Sequence, residues 1–289
     1  MVEKLSFSKG QRLRALFIIA NIMFFILIGI IVLVPLWKVI ADSFDEKASL
    51  IQFRMLPADF TLDAYKMILE QDRLYRPFLI SVATTVIGTL CSLTVTTLFA
   101  YGLSQKELLG KKIFLTYVLV TMVFRAGIIP IYTAVSKLGL VDTLISVVVI
   151  ILVDAYYLIL MKNFFSTIPV DIIDAAEIDG CSPLRVFMQI ILPLSKAGLA
   201  AIGLFIVVNY WNMFFEYLMF INDTKLYNFQ VKVRELVLNA DTAGMEQTEF
   251  STQTLRNSVV VLTIVPVLIL YPIVQKYFVT GVNLGAVKE

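Results

Sequence analysis

Long hydrophobic runs alternate with short polar segments along the whole chain. Six runs contain enough residues to cross about 30 Å of hydrocarbon at a helical rise of about 1.5 Å per residue. Because hydrocarbon offers the backbone no hydrogen-bond partners, each run is predicted to be a helix. They are Leu16–Trp37, Phe78–Leu103, Ile113–Tyr132, Leu144–Met161, Ala197–Ile221 and Val259–Phe278. The pattern predicts an all-α polytopic membrane protein with six transmembrane helices.

Basic residues in the short polar segments predict the orientation. The N-terminal tail carries several, and loop 104–112 carries three, whereas loop 136–143 carries one. Because short cytoplasmic loops are enriched in Lys and Arg, both termini are predicted to be cytoplasmic in a bacterial plasma membrane. Segments 38–76 and 222–258 are then outside, and Thr61 is predicted to cap a short helix in the first of them.

Two domains follow from the same pattern. Residues 1–77 are predicted to form the N-terminal tail, the first transmembrane helix and an outer segment. Residues 78–289 are predicted to form a core domain with five transmembrane helices. A polar loop at 168–193, between the fourth and fifth helices, is predicted to be cytoplasmic.

Composition agrees with a membrane location and argues against catalysis. Of the 289 residues, 59% are hydrophobic and 16% are charged, whereas a soluble domain carries about a quarter of charged residues. The net charge of +2 is too small to indicate nucleic-acid binding. The chain has no histidine, the usual general base and metal ligand, and no G-x-x-x-x-G-K-[ST] phosphate loop. We therefore expect neither an enzyme nor a cofactor or metal site on this chain.

The polar loop has the local sequence of a helix, a sharp turn and a second helix. Pro169 suits the first turn of the first helix, and Gly180 suits the left-handed position that ends it. Ser182 and Pro183 then predict the cap and first residue of the second helix. Its predicted apolar stripe comprises Leu184, Phe187, Met188 and Ile191.

The first helix of this loop is acidic. Residues 169–180 contain four carboxylates and no basic side chain, so anionic lipid would repel them. A neighbouring pair of small residues, Ala175 and Ala176, would permit close approach by another protein. Docking to a protein is therefore favoured over an amphipathic helix that lies on the membrane surface.

This loop resembles the E-A-A…D-G…I-x-L-P signature of bacterial ABC importer permeases. Asp174 stands where the signature has Glu, Cys181 replaces Ala, and Ala197 stands where a second Pro is common. The matching residues are Ala175, Ala176, Asp179, Gly180, Ile190, Leu192 and Pro193. The position of the match between the fourth and fifth of six predicted helices makes it specific.

Flanking segments resemble permeases of maltose-type carbohydrate importers, and the resemblance runs from about residue 15 to the end. They are Leu56-Pro57 with Phe60-Thr61 and Tyr65, the stretch 209–212, and the tail 275–288. Residues 124–132 and 138–140 are similar to the subgroup that takes up complex oligosaccharides.

The resemblance implies a permease subunit of an ATP-driven oligosaccharide importer. The subunit would form half of the translocation pathway beside a homologous second permease. An extracytoplasmic sugar-binding protein would deliver the substrate, and two ATP-binding subunits would hold ATP and Mg and dock on the loop 174–193. The implied docking residues are Asp174, Ala175, Ala176, Glu177, Asp179, Gly180 and Pro193.

Polar residues inside the hydrophobic runs are candidates to line the pathway, because burying a charge in a membrane costs about 2.5–3.5 kcal/mol. Amides and carboxylates can hydrogen-bond sugar hydroxyls, and aromatic rings can stack on sugar faces. Equally, these groups could bond neighbouring helices and serve structure alone. The candidates are Asn209, Tyr210, Trp211, Asn212, Glu216, Arg125, Asp154 and Tyr157.

Two of these charges permit narrower interpretations. Arg125 and Asp154 could neutralise each other, or Arg125 could meet an acidic, uronate-containing oligosaccharide. Three other functions stay open from the sequence: an ABC permease for another solute class, a proton-coupled secondary transporter that uses Asp154 or Glu216, and a membrane scaffold.

Overall fold

The computed structural model of the chain describes residues 9–49, 51–105, 107–124, 126–238 and 251–286, and it describes no side chains at 9–12, 15 and 273–286. The regular secondary structure within these ranges is helical, and the only β-type pairing in them is an isolated bridge between Asp45 and Phe60. The predicted all-α fold class is confirmed.

Fourteen α-helices lie in the described ranges. They are α1 (Lys9–Asp42), α2 (Asp63–Glu70), α3 (Asp72–Ser104), α4 (Lys111–Val123), α5 (Ile128–Lys137), α6 (Leu144–Ile150), α7 (Ala155–Ser166), α8 (Val170–Ile178), α9 (Pro183–Val186), α10 (Leu192–Leu194), α11 (Lys196–Trp211), α12 (Phe215–Phe220), α13 (Phe229–Leu238) and α14 (Thr252–Ala286). A π-helical turn, Phe187–Ile191, joins α9 to α10, and a 3₁₀ turn, Thr224–Leu226, precedes α13.

Three helices in the described part of the chain are long and apolar enough to cross a membrane by themselves. They are Leu16–Asp42 in α1, Asp72–Ser104 as α3, and Thr252–Pro272 in α14. The count rises to six if each of three bent helix pairs is one crossing: α4 with α5, α6 with α7, and the stretch α9–α10 with α11. The described helices are therefore long and apolar enough for an integral membrane protein.

The predicted fifth span, Ala197–Ile221, is wrong in its C-terminal part. The helix α11 ends at Trp211, and α12 starts again at Phe215. On the other side, α10 and α11 are bent by 82° at Ser195. Apolar residues continue beyond the break after Trp211, so the apolar run is longer at this end than the helix α11.

Contacts divide the chain into two compact units. One comprises residues 1–68 and 240–262, and the other comprises 69–239 and 263–289. A segment late in the sequence packs with the N-terminal part, and the predicted boundary after residue 77 stays a prediction.

In the first unit, hydroxyl groups near the N-terminus of α14 hydrogen-bond to the backbone just after α1. Thr254 Oγ1 donates to the Asp45 carbonyl at 2.5 Å, and Ser258 Oγ donates to the Ser43 carbonyl at 3.1 Å. Tyr65 adds a bond from its hydroxyl to Ser43 Oγ at 2.8 Å. By contrast, the most apolar window of α1 has no buried residue. The first unit is therefore anchored by polar bonds at one end of a long exposed helix.

The predicted cap in the outer segment is confirmed. The hydroxyl oxygen of Thr61 accepts the backbone N–H of Asp63 at 3.1 Å, and α2 begins at Asp63. This bond satisfies one of the N–H groups that a helix start leaves without an intrahelical partner.

In the second unit, α3 packs against both α7 and α11. Small residues permit the close approach. A Cβ atom at Gly88 would lie 2.5 Å from the ring of Tyr210, and one at Gly198 would lie 2.7 Å from the ring of Phe164. Glycine is required at these contacts for lack of space rather than for its backbone freedom.

Asp142 links two connecting segments of the second unit. It has a left-handed backbone, with φ of 64°, and its Oδ1 accepts the N–H groups of Asn222 at 2.9 Å and Asp223 at 2.8 Å. These two backbone donors, that of Asp223 first, hold the pKa of the Asp142 carboxyl below its usual value. The carboxylate form therefore stabilises this connection.

Candidate functional site

We call the segment from α8 to α9, residues 170–186, the knuckle. It contains six of the seven predicted docking residues, and all of these except Ala176 are exposed. Asp174, Ala175 and Glu177 are exposed on α8, and the turn that follows it is exposed as well. Pro193, beyond the knuckle, is also exposed. The knuckle is therefore accessible in this chain over most of its predicted docking surface.

Ala176 is a correction to the predicted small-residue surface. Its side chain is 7% exposed and belongs to the hydrophobic core of the chain. Because adjacent residues on a helix point about 100° apart, Ala175 faces outward while Ala176 packs inward. The surface available to another protein therefore includes Ala175 and not its neighbour.

The turn of the knuckle is closed by two backbone bonds. Gly180 has φ of +82°, as predicted for the left-handed end of a helix. Its N–H donates to the carbonyl of Glu177 at 3.0 Å, and the N–H of Cys181 donates to the carbonyl of Ala176 at 3.0 Å. This pair of bonds is the Schellman motif. A Cβ at Gly180 would meet nothing within 4 Å, so only backbone strain restricts the residue at this position.

The second helix begins as predicted but departs from the predicted apolar stripe. Ser182 Oγ accepts the N–H of Arg185, and Pro183 occupies the first turn. Leu184 and Met188 are exposed, whereas Phe187 is buried. Ile191, at the end of the π-helical turn, is buried as well. The stripe assigned with a period of 3.6 is therefore only half correct.

Phe187 attaches the knuckle to the membrane-crossing helices. Its ring lies 4.9 Å from that of Tyr101 on α3 and 6.4 Å, edge to face, from that of Phe165 on α7. The Tyr101 hydroxyl also donates to the carbonyl of Pro183 at 3.1 Å. A displacement of the knuckle would therefore reach both α3 and α7 through one buried ring. Tyr101 was not predicted from the sequence, where its only signal is an aromatic residue near the end of an apolar run.

The helix α8 is acidic, and its carboxylates form no ion pair among the described residues. Its carboxylates are exposed, and the ion pairs found within the described ranges involve none of them. The side chains are Asp171, Asp174, Glu177 and, just beyond the helix, Asp179. Exposed carboxylates on a rigid turn offer a surface that a basic partner can recognise.

Two of the predicted pathway residues are buried and bonded within the chain. Tyr210 is 2% exposed, and its hydroxyl donates to the carbonyl of Val148 at 2.8 Å. Trp211 is 3% exposed, and its Nε1 donates to the carbonyl of Thr263 at 3.1 Å. Neither ring presents a face to a sugar in this conformation. Both fill the interior and donate hydrogen bonds to backbone carbonyls of the chain.

Asn209, Asn212 and Glu216 do not lie on one continuous helix. Asn209 and Asn212 are exposed, and Asn212 Nδ2 donates to the carbonyl of Val208 at 2.9 Å. Glu216 is half-buried on α12, beyond the break that ends α11. The two asparagines remain accessible polar groups near one helix end, and the glutamate belongs to a different element.

Asp154 and Tyr157 also have local partners. Asp154 is the N-cap of α7: its Oδ1 accepts the N–H of Tyr156 at 2.8 Å and that of Tyr157 at 3.3 Å. The ring of Tyr157 stacks on that of Phe205 at 6.1 Å. The carboxylate therefore satisfies backbone donors at the 54° bend between α6 and α7. Arg125, its proposed partner, lies outside the described residues.

Metal binding finds no support in the described ranges, where no group of three or more His, Cys, Asp or Glu side chains could hold an ion. The arrangement offers protein docking at the knuckle and polar contacts at exposed helix ends.

Known proteins resemble this chain along nearly its whole length. The polygalacturonan/rhamnogalacturonan transport system permease protein YtcP of Bacillus subtilis (strain 168) is 37% identical over 273 residues, which cover 92% of this chain and 96% of that protein. Protein LplC of the same organism is 36% identical over 279 residues, covering 94% and 95%. The arabinooligosaccharides transport system permease protein AraQ of Halalkalibacterium halodurans is 27% identical over 277 residues, covering 91% and 94%.

The fold is also similar to a solved structure. A chain in the crystal structure of a bacterial ABC transporter involved in the import of the acidic polysaccharide alginate superposes with a TM-score of 0.88 at 27% identity, covering 95% of this chain and 100% of that one. A scan against protein-family models finds no match. An identity of 37% over 92% of the chain nevertheless establishes common descent, so this integral membrane protein belongs to the permease family of bacterial sugar-importing ABC transporters.

Proposed function

We propose that this chain forms one half of the translocation pathway of an ATP-driven oligosaccharide importer and receives force at the knuckle. The observation that carries the proposal is the exposed, acidic, rigidly closed turn at Gly180 in a chain of this permease family. A docking surface needs accessibility and a defined shape, and the knuckle has both.

In the proposed topology each bent helix pair supplies one crossing, with α9 left in the knuckle outside the fifth crossing, which gives six crossings in all. Both termini and the knuckle are cytoplasmic. The N-terminal end of α3, the 3₁₀ turn Thr224–Leu226 and α13 are then extracytoplasmic. The basic loop 104–112 between α3 and α4 supports this orientation, because short cytoplasmic loops are enriched in Lys and Arg.

The partners would be a second, homologous permease, two ATP-binding subunits and an extracytoplasmic sugar-binding protein. ATP and Mg would be held by the ATP-binding subunits and not by this chain. Closure of those subunits on ATP would displace the knuckle, and Phe187 would transmit the displacement to α3 and α7 through Tyr101 and Phe165. This contact chain gives the coupling a physical route.

The substrate would be an oligosaccharide. Relatives that transport polygalacturonan or rhamnogalacturonan and arabinooligosaccharides support this class. Within the chain, Asn209 and Asn212 are the accessible polar candidates for contact with sugar hydroxyls, whereas Tyr210 and Trp211 would hold the helices in place. Glu216 and Tyr157 remain candidates through their half-exposed side chains.

Site-specific labelling tests the orientation of the knuckle. The native Cys91 and Cys181 are replaced by Ser, and a single cysteine is placed at Ala175, which is exposed. A membrane-impermeant thiol reagent should label Cys at 175 only in inside-out vesicles. Labelling in intact, right-side-out vesicles alone would overturn the proposed topology and the coupling role with it.

Reconstitution tests the transport function. The chain, co-expressed with its second permease and ATP-binding subunits, should co-purify with them and import oligosaccharides into proteoliposomes only with Mg-ATP and a binding protein. Proton-driven uptake by this chain alone would contradict the proposal and favour a secondary transporter.

A further inference from the structure

A basic groove lies at the N-terminal end of α3, in a place to which no site has been assigned. It has a volume of about 340 Å³ and lies between the first turn of α3 and the segment from the 3₁₀ turn to α13. Cavities of roughly this size and above hold small ligands. The groove lies within the second unit, and in the proposed topology it opens to the extracytoplasmic side.

Positive charge exceeds negative charge in the groove. Two carboxylates line it, Asp72 and Glu235, against four cationic side chains, which are Arg73, Arg76, Lys225 and Lys232. The groove therefore has an excess of two positive charges. The N-terminus of the 33-residue helix α3 adds its positive dipole end.

Two of the four cationic side chains form no ion pair among the described residues. Lys232 pairs with Glu235 at 2.9 Å, and Arg76 lies 3.8 Å from Asp72. Arg73 donates from Nε to the neutral amide oxygen of Gln71 at 2.8 Å. Among the described residues neither Arg73 nor Lys225 forms an ion pair. Arg73 and Lys225 are exposed and thus free to take carboxylates from a ligand.

The other lining chemistry suits a sugar. The half-buried ring of Tyr227 and the hydroxyl of Thr224 line the groove together with these cations. An aromatic face can pack against a pyranose ring, and a hydroxyl can exchange hydrogen bonds with sugar hydroxyls. A concave site of this kind fits an extended chain of sugars better than a flat protein surface.

We propose that the basic groove binds the carboxylates of an acidic, uronate-containing oligosaccharide at the extracytoplasmic mouth of the pathway. The inference rests on the proposed function for the side of the membrane and for sugar as cargo. Polygalacturonan, named for one relative, and the acidic polysaccharide alginate, named for the structural neighbour, both carry carboxylates. The groove gives this chain a place to meet such groups.

Binding to the assembled permease and ATP-binding subunits in lipid nanodiscs, without the sugar-binding protein, tests the groove directly. The probes are tetragalacturonate and its fully methyl-esterified form, which keeps the sugar chain and loses the charges. Calorimetric titration should give binding of the acid about tenfold tighter than that of the ester at low salt, since bonds between charged groups are the stronger ones. The preference should shrink towards about 0.5 M salt because of screening.

Variants of opposite expected sign separate binding from folding. The double variant Arg73→Gln with Lys225→Gln should weaken binding of the acid about tenfold and leave the ester unaffected. Glu235→Gln should release Lys232 and tighten binding of the acid about two- to threefold. A misfolded protein cannot produce tighter binding. Lys137→Gln, which removes an exposed lysine on the same proposed side, is the control and should change nothing.

Equal affinity for acid and ester, or an equal effect of Lys137→Gln and the groove variants, would overturn the proposal. So would groove variants that weaken only the binding protein's affinity for the complex, since the groove would then be a protein-docking surface. A complex that shows these results but still imports neutral oligosaccharides with ATP retains the proposed function. Absence of all ATP-driven oligosaccharide uptake would instead contradict the function itself.

Discussion

The knuckle and the buried face of α11 both carry polar groups, but these groups have opposite surroundings. On α11, the polar atoms of Tyr210 and Trp211 each find a backbone carbonyl within the chain. On α8, the carboxylates of Asp174 and Glu177 stay exposed, and no ion pair engages them within the described residues. Polar groups that the chain satisfies itself hold the fold together, and those left open are available to partners.

The comparison predicts that substitutions on α11 lower the stability of the protein, whereas substitutions in the knuckle lower the coupling of transport to ATP hydrolysis. The largest stability effect should follow Tyr210→Ala, since removal of a large buried aromatic side chain costs about 3–5 kcal/mol. Tyr210→Phe keeps the ring against Gly88 and loses only the hydroxyl bond, which costs about 1 kcal/mol. Thermal unfolding in detergent should rank the two variants in that order. Equal losses would show that the hydrogen bond, and not packing, dominates at this site.

Gly180→Val should produce the largest effect at the knuckle. A β-branched residue at φ of +82° is strained by about 1–2 kcal/mol or more, so the turn should change shape. Transport per ATP hydrolysed in proteoliposomes should fall by about tenfold while the variant still folds. Gly180→Asn is the matched control because Asn tolerates the left-handed conformation. Full coupling in the Val variant would show that coupling does not depend on the shape of this turn.

Removal of charge from the knuckle should have a smaller effect. Asp174→Asn together with Glu177→Gln should weaken association with the ATP-binding subunits by a few-fold, because exposed charge pairs contribute about 0.2–1 kcal/mol each. Pull-down at low and high salt measures the change, and salt should weaken the wild type more than the variant. Glu70→Gln, an exposed carboxylate on α2, provides a control. A control effect as large as that of the double variant would contradict specific recognition at α8.

The smallest expected effect is the pH dependence of the Asp142 connection. Its pKa is lowered from the usual 3.8 in the folded chain, so its stabilising contribution is fully present above pH of about 4 and is lost as pH falls through the lowered pKa. Asp142→Asn should remove this part of the dependence and keep the left-handed backbone. Unfolding temperatures measured between about pH 3 and 6 test it. An identical pH profile in the variant would assign the dependence to other carboxylates.

Local chemistry was the part of the molecule that the sequence predicted best. The left-handed Gly180, the cap at Ser182 and the cap at Thr61 are confirmed because each depends on a few adjacent residues. The all-helical class also followed from hydrophobicity alone. The roles of the knuckle and of Arg125 stay predictions, since the first needs a partner and the second lies outside the described residues.

Helix breaks and burial could not be predicted in the same way. Apolar residues resume directly after Asn212, where α11 has already ended, and one polar residue in a long apolar run is too weak a signal to predict the break. Burial of Tyr210 depends on the absent side chain of Gly88, a residue far away in sequence. Asp154 is an exception: an Asp before an apolar stretch is a common helix cap, and this signal was present in the sequence.

The bonds that fasten the end of α1 also set an order for biosynthesis. Thr254 meets Asp45 across 209 residues, and Ser258 meets Ser43 across 215. Protein synthesis proceeds from the N-terminus, so the ribosome must have translated most of the message before either bond can form. The first helix is therefore inserted into the bilayer before these two hydrogen bonds can form. A nascent chain arrested before codon 254 would lack both bonds, and this end of α1 would be held only by earlier residues such as Tyr65.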